Sequence, residues 1–274
     1  MSYFYHQAPY QMEKPILKSV ENIASTVPVS IDAVNVGLNK AARKVVPGGL
    51  WLASVNGVKR FLPRTSVTSA VSPGATQIPV DLQQVLKVGD SLRALEKKAT
   101  ITLGGTYVAG DVIYITYDNG SFAFKVTAPG TVGADLTNYI NAAASFDARA
   151  VLNGGNVELY SVQGGPLTVV TNSAAGTAST TAYAGQGFLG TITAINYETS
   201  VVTIGTATTI SLSAGAKIGV PVDQIYGFHI HSVDFTERPV CILNAIDGSD
   251  GVYSQSFPYL DSEIKARFPR INFA

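Results

Sequence analysis

Two histidines separated by one residue, His229 and His231, form the pattern in this sequence best suited to bind a metal ion. Residues i and i+2 of a regular strand point to the same side, so the two imidazoles could share one ion. A third ligand is not evident. Asp234 has the opposite parity, Glu237 follows too late along the chain, and His6 lies far away near the N-terminus. His229 and His231 are therefore a weak candidate for a metal site. The favoured interpretation is that they are strand histidines at a subunit or domain interface.

Other chemical motifs in the sequence have simpler structural explanations. Residues 185–190 match the G-x-G-x-x-G pattern of a phosphate-binding loop. Such a loop must be followed by the N-terminus of a helix, but residues 191–194 have the pattern of a strand. A glycine hinge is the favoured interpretation. Residues 247–251 (DGSDG) lack the spacing and terminal Glu of a calcium loop, which predicts a turn. Cys241 lies in an apolar strand pattern, where a thiol is usually buried and unreactive.

Composition limits the classes to which the chain can belong. The 274 residues are 46% hydrophobic and carry 19 basic and 19 acidic side chains, which excludes a disordered chain. Only 14% of residues are charged, and abundant Thr, Ser, Val and Gly favour β structure with little charge repulsion against self-association. The single cysteine excludes an intrachain disulfide. The neutral balance and the lack of a long apolar run predict that neither nucleic acid nor membrane is a partner, and no cofactor is expected.

The first 46 residues differ in pattern from the rest and predict an extended N-terminal arm. Four early aromatics follow no helical or strand period, and one or two short helices are expected behind them. The first helix would begin at Pro15 and reach Pro28, and the second would carry the stripe Ile31, Val34 and Leu38. Residues 1–64 hold eight basic and three acidic groups, so this end is expected to meet a partner surface. The predicted partner-binding residues are Tyr3, Phe4, Tyr5, Tyr10, Lys40, Arg43, Lys44, Trp51 and Arg60.

The remaining sequence predicts a mainly β fold in two parts. Residues 47–97 and 187–274 are expected to form a discontinuous small β-barrel or sandwich body, which begins with a hairpin turning at Asn56-Gly57. Strands are expected at residues 65–71, 76–80, 88–95, 187–194, 200–204, 208–212, 217–220, 225–235 and 240–246. Residues 98–186 read as an inserted β-β-α-β-β-like module with a helix capped by Asp135. Leu260, Ile264 and Phe268 predict a short C-terminal helix ended by Pro269.

Three runs of this sequence carry a resemblance to a known family. Residues 46–53 (VPGGLWLA), 227–234 (GFHIHSVD) and 261–269 (DSEIKARFP) resemble tailed-bacteriophage head decoration proteins, also called capsid cement proteins. The module, with its Asn119-Gly120 hairpin and the helix ending YINAA, is similar to small β-rich modules of phage virion proteins. The long arm and the insertion are departures from the smallest family members.

The resemblance implies a structural role and no enzymatic activity. Such proteins bind the outside of an expanded capsid, commonly as homotrimers in contact with the major capsid protein, and resist the pressure of packaged DNA. The expected location is therefore the outer surface of the virion, with the arm used for binding. An alternative is a phage fibre or receptor-binding protein whose module grips carbohydrate. A cupin-like metalloenzyme is a third hypothesis, and it predicts stoichiometric metal in the purified protein.

Overall fold

A computed structural model describes residues 23–117, 120–143, 148–236, 239–252 and 254–273. Within these ranges the chain forms twenty strands, β1–β20, and two α-helices, α1 and α2, numbered in chain order. The expected mainly β fold is confirmed. Two hydrophobic clusters lie inside it, and the smaller one draws its buried residues from positions 99–169 alone.

The first sheet is a curled, half-barrel sheet with the strand order β1-β19-β17-β3-β4, and β20 pairs with the far end of β19. The curl brings the two edge strands β1 and β4 close together. Asn56 and Gly57 have φ of 50° and 78°, the left-handed values that a tight hairpin between β3 and β4 requires. The strands are β1 (Ile23–Asp32), β3 (Trp51–Val55), β4 (Val58–Phe61), β17 (Gln224–Phe228), β19 (Val240–Val252) and β20 (Ile271–Phe273).

The second sheet contains two long strands, β7 and β14, which lead into and out of the segment that the sequence predicts as an insertion (residues 98–186); below, the terms inserted segment and body name the two predicted parts. Its order is β10-β11-β7-β14-β15-β6, with β13 and β16 also paired to β7, and β5 paired to β16. Strand β7 contributes Leu92 to the larger hydrophobic cluster and Ile101 to the smaller one. The strands are β5 (Arg64–Ser66), β6 (Gln77–Pro79), β7 (Ser91–Gly105), β10 (Arg149–Asn153), β11 (Asn156–Ser161), β13 (Gly176–Thr180), β14 (Ala184–Asn196), β15 (Val201–Ile204) and β16 (Lys217–Gly219).

A three-stranded sheet and one helix complete the segment between β7 and β14. The sheet has the order β12-β8-β9, and α1 (Val132–Ala142) packs through Leu136 and Ile140, both fully buried. A short ladder elsewhere joins β2 to β18. The strands are β2 (Val45–Val46), β8 (Val112–Tyr117), β9 (Gly120–Lys125), β12 (Leu167–Thr171) and β18 (Val233–Asp234). Helix α1 begins three residues before Asp135, whose carboxylate accepts a hydrogen bond from the Thr131 hydroxyl at 2.6 Å.

The expected arm helices are not present in the described part of the chain. Residues 23–32 form strand β1, and Ala33–Asn35 form a single 3-10 turn in place of the second helix. Val27, Val29 and Ile31 alternate with exposed residues, and their inward face joins the core. Pro28 is tolerated because β1 is an edge strand, which needs no amide hydrogen bond on its outer side. The part of the predicted first helix before Ile23 lies outside the described residues.

Other boundaries also differ from expectation. Residues 247–251 belong to β19 rather than to a turn, because β1 and β20 pair with this strand on either side. Residues 208–212 make an isolated bridge between Leu212 and Val71 instead of a strand. Helix α2 spans Ser262–Arg267, with Asp261 as its cap, so Leu260 precedes the helix that it was expected to begin.

Candidate functional site

Trp51 lies at the centre of an aromatic cluster in the core of the first sheet. Its side chain is 1% exposed, and its indole Nε1 donates a hydrogen bond to the Tyr259 carbonyl at 3.1 Å. Its ring centroid lies 5.4 Å from that of Phe228, 5.4 Å from that of Phe257 and 5.1 Å from that of Phe268. Trp51 is therefore not available to a partner, and the prediction that it binds one is wrong. Residues 51–55 are all buried because this strand is covered on both faces.

The three runs that carry the family resemblance meet around this tryptophan. Val46 of β2, at the start of the first run, pairs with Val233 of β18 in the second run, and Trp51 of β3 lies opposite Phe228 of β17. The third run contains α2, and Phe268 at its end closes over the Trp51 ring. Segments far apart in sequence thus form one packed unit, which the spacing along the chain does not reveal.

Arg60 was also predicted to bind a partner, and the structure places it in a buried ion pair. Its guanidinium donates two hydrogen bonds to the Asp90 carboxylate, each 2.8 Å long, and a third to the Val85 carbonyl at 2.7 Å. The residue is 4% exposed. Its bidentate pairing fixes β4 against the turn that leads into β7, so Arg60 has a structural role.

The basic residues near position 40 lie on the surface beside strand β18. Lys40 is exposed, Arg43 pairs with Asp234, and the Lys44 ammonium group donates to the Ala33 carbonyl at 2.8 Å. Arg43 and Lys44 thus have intrachain partners, whereas no side-chain contact is assigned to Lys40 within the described residues. The aromatic candidates Tyr3, Phe4, Tyr5 and Tyr10 lie outside the described part of the chain.

The two histidines do not share a face. Strand β17 ends at Phe228, after which His229 turns inward at 3% exposure while His231 is exposed to solvent. The His229 ring packs 5.3 Å from Phe61, and neither ring nitrogen has a hydrogen-bond partner of normal geometry. Burial lowers the pKa of His229 to about 4, an effect that a backbone group of His231 only partly offsets. Within the described ranges, no three His, Cys, Asp or Glu side chains cluster closely enough to bind a metal ion.

The glycine motif at residues 185–190 lies inside strand β14. Its pairing with β7 is interrupted by two irregularities of the β-bulge type, and Gly187 and Gly190 have φ of 91° and 153°. A Cβ on Gly190 would lie 2.9 Å from the Ile204 Cβ, so glycine also allows close strand packing there. The strand continues to Asn196, and the backbone geometry of a phosphate-binding loop is not formed.

A polar groove of about 620 Å³ lies between the inserted segment and loops of the body. Its floor holds the Glu158 carboxylate, which accepts hydrogen bonds from the Lys98 ammonium group, from the Tyr160 hydroxyl at 2.6 Å and from Asn153 Nδ2 at 3.0 Å. Burial acts to raise the pKa of Glu158, but these hydrogen bonds outweigh it and lower that pKa. Burial and the neighbouring Glu158 carboxylate raise the pKa of Tyr160 well above its usual range.

Sequence reasoning missed this groove, although part of its pattern is visible in strand β11. Val157 and Leu159 are fully buried in the hydrophobic cluster, so Glu158 and Tyr160 share the opposite face. This alternation along β11 could have indicated from the sequence that Glu158 and Tyr160 lie side by side. The contribution of Lys98 from β7, by contrast, depends on the antiparallel register that places Lys98 opposite Tyr160.

Comparisons with known proteins give little further guidance. No protein-family model matches the chain, and no curated protein matches its sequence. A solved structure from Mycobacterium phage Patience is similar over 79% of this chain and 99% of its own chain, with 10% sequence identity and a TM-score of 0.21. That overlap is too low to establish a common fold. Within the described residues, no helix is long and apolar enough to cross a membrane.

Proposed function

We propose that this chain is a structural phage virion protein that binds the outer surface of the head and stabilises it. The observation that carries the proposal is the convergence of the three family-like runs on Trp51. Their side chains form one interlocked unit, which strand pairing and contacts to Trp51 hold together. A resemblance that falls on one packed unit is better support than three matches scattered over the fold.

Buried ion pairs suit the mechanical part of this role. Arg64 donates to the Asp261 carboxylate at 3.0 Å and to Glu263 at 2.8 Å, which ties β5 to helix α2 almost two hundred residues later. Arg60 and Asp90 link β4 to the start of β7 in the same way. Such pairs fix one geometry, since separating them would leave a buried charge without a partner. A body held together by such ion pairs would resist deformation when the pressure of packaged DNA is distributed over several subunits.

The head-binding segment of the proposal is residues 1–22 together with the exposed Lys40. Residues 23–46 are less suitable, because β1 and the segment after it supply Val29, Ile31, Val36 and Val46 to the core. Tyr3, Phe4, Tyr5 and Tyr10 are residue types that bury a large area on docking. As a homotrimer, the protein would contact several copies of the major capsid protein at once, so modest interfaces would add up through avidity.

The proposal is tested by locating the protein in virions of the phage that encodes it. Quantitative mass spectrometry should give a copy number comparable to that of the major capsid protein, and antibody labelling should cover the head. Labelling confined to a tail or a vertex, at a small fraction of that copy number, would favour the fibre or receptor-binding alternative and refute head decoration.

A second experiment tests the binding segment. Heads made without the protein would be mixed with the full chain or with a variant lacking residues 1–22, and bound protein would be measured after sedimentation. We expect the full chain to sediment with heads and the truncated chain to remain in solution. Equal binding of the two proteins would show that the segment is not the site of attachment.

A further inference from the structure

The polar groove described above is built from two parts of the chain. Strands β7 and β11 supply its floor, and the body supplies a wall through Thr209 and Ser211, which are both exposed. Its volume of about 620 Å³ lies within the range of roughly 300–1,000 Å³ that is typical of small-molecule sites. A ligand in this groove would therefore contact the inserted segment and the body together.

Among the described residues, the groove is lined by one positively and one negatively charged side chain. Lys98 and Glu158 are the charged residues that line it within the described ranges, and they pair with each other. A simple anion would meet the carboxylate, and a simple cation would meet the ammonium group. The surrounding Asn153, Thr209 and Ser211 side chains can each donate and accept hydrogen bonds. The lining therefore favours an uncharged ligand rich in hydroxyl groups.

The polar atoms of the floor are held in place before any ligand arrives. Glu158 fixes the Lys98 ammonium group, the Asn153 amide and the Tyr160 hydroxyl around one carboxylate. The Arg149 guanidinium lies over the Tyr160 ring, 4.5 Å from its centroid, and is itself paired with Glu96 at 2.7 Å, so it covers one face of the ring and helps to hold it in place. A preorganised set of donors and acceptors reduces the ordering cost of binding.

Small and apolar residues complete the lining. Ala182, Ala184 and Gly185 leave the backbone accessible, and Pro73 and Ile210 add apolar surface. Pyranose rings present hydroxyl groups at their edges and C–H groups on their faces, which this combination of surfaces matches. We propose that the groove is a binding site for a neutral saccharide. The inference does not rest on head binding, because the site can be occupied in isolated protein.

The test is an NMR titration of the full-length, isotope-labelled protein with three neutral probes: maltotriose, cellotriose and tri-N-acetylchitotriose. We expect at least one to give saturable amide shifts around Asn153, Glu158 and Ser211, with a dissociation constant on the order of 1 mM. The fully deacetylated chitotriose, which is cationic, should bind more weakly than its acetylated counterpart. If none of the three neutral probes gives saturable shifts, or if the shifts fall elsewhere, the inference is wrong.

Two variants and a matched control connect binding to the groove. Ser211→Trp would fill the wall and weaken binding by about tenfold or more, and Asn153→Ala would remove one polar contact and weaken it about threefold. Ser121→Trp adds the same bulk at an exposed position on β9 and should leave affinity unchanged. Unchanged affinity in folded Ser211→Trp and Asn153→Ala would overturn the assignment. Head-binding assays need no saccharide, so the two proposals can fail separately.

Discussion

The buried His229 predicts that the protein loses stability as the pH falls from 7 toward 4. Its ring is desolvated, packs near Phe61 and has no hydrogen-bond partner of normal geometry, so the charged form is disfavoured in the folded state. The folded-state pKa is about 4, compared with about 6.5 for an exposed histidine. Because the folded pKa is the lower one, this stability is present above pH 6.5 and is lost as the pH falls through that window.

The size of the effect follows from the difference between the two pKa values. Protonation of His229 in the unfolded chain alone should cost about 2 kcal/mol of unfolding free energy between pH 7.5 and 5.0, and about 3 kcal/mol once the pH is below 4. The comparison is best made at pH 5.0, where few carboxylates titrate. The assay is urea unfolding at the two pH values, followed by fluorescence of Trp51, whose surroundings change on unfolding.

The matched variants are His229→Leu and His231→Asn. Replacing the buried imidazole by leucine should remove about 2 kcal/mol of the loss between pH 7.5 and 5.0, and should stabilise the protein at pH 5.0. The exposed His231 provides the comparison: its charge also acts to lower the pKa of His229, but burial is the larger cause, so His231→Asn should leave most of the pH-dependent loss in place. If wild-type protein and His229→Leu lose the same free energy over this range, the argument from burial is refuted.

Three further predictions concern the scaffold. A chain without residues 1–22 should unfold cooperatively at nearly the wild-type temperature. Removal of residues 1–46 also deletes the four buried apolar side chains Val29, Ile31, Val36 and Val46, worth roughly 6–12 kcal/mol, and should abolish cooperative thermal unfolding in calorimetry. Gly227→Ala should lower the free energy of unfolding by about 3 kcal/mol or prevent folding, because the added Cβ would lie 2.3 Å from the Ile246 carbonyl oxygen and the backbone φ is 144°. The control is Gly57→Ala, whose Cβ would point into open space and which should cost only about 1 kcal/mol in urea unfolding. Asp261→Ala should cost about 3–5 kcal/mol by leaving Arg64 buried without this partner and α2 without its cap; a loss below 1 kcal/mol would contradict the buried-pair argument.

Features set by neighbouring residues were predictable from the sequence. The Asn56-Gly57 hairpin follows from turn chemistry, since both residues accept the positive φ that the turn requires. The short C-terminal helix follows from its apolar stripe, although it begins after Leu260. In both cases, the information lies within a few residues of the feature itself.

Strand β1 shows how a local pattern can mislead. The same segment offers apolar residues at helical spacing before Ile23 and at a spacing of two after it, from Val27 through Val29 to Ile31. What decides between the two is the partner strand β19, which lies more than two hundred residues away. The groove depends on distant pairing in the same way, because the β7–β11 register brings Lys98 to Glu158.

Residue type alone also misplaced two partner-binding candidates. Tryptophan and arginine are enriched at binding hot spots, which made Trp51 and Arg60 reasonable choices. Position in the strand places these side chains in the core instead. Arg60 follows the exposed Val58 and Lys59, where β4 enters the core, and Asp90 provides a buried counter-charge there.

The location of the proposed binding surface follows from this reassignment. With Trp51 and Arg60 inside the fold, the predicted contact residues that remain outside the core within the described ranges are Lys40, Arg43 and Lys44, of which Arg43 and Lys44 also contact Asp234 and the Ala33 carbonyl. The aromatic candidates that remain all precede Ile23. The two truncations therefore separate binding from folding: loss of residues 1–22 should affect attachment alone, whereas loss of residues 23–46 should remove the edge strand on which the core depends. A chain that lacked residues 1–22 and also failed to fold would show that this division is misplaced.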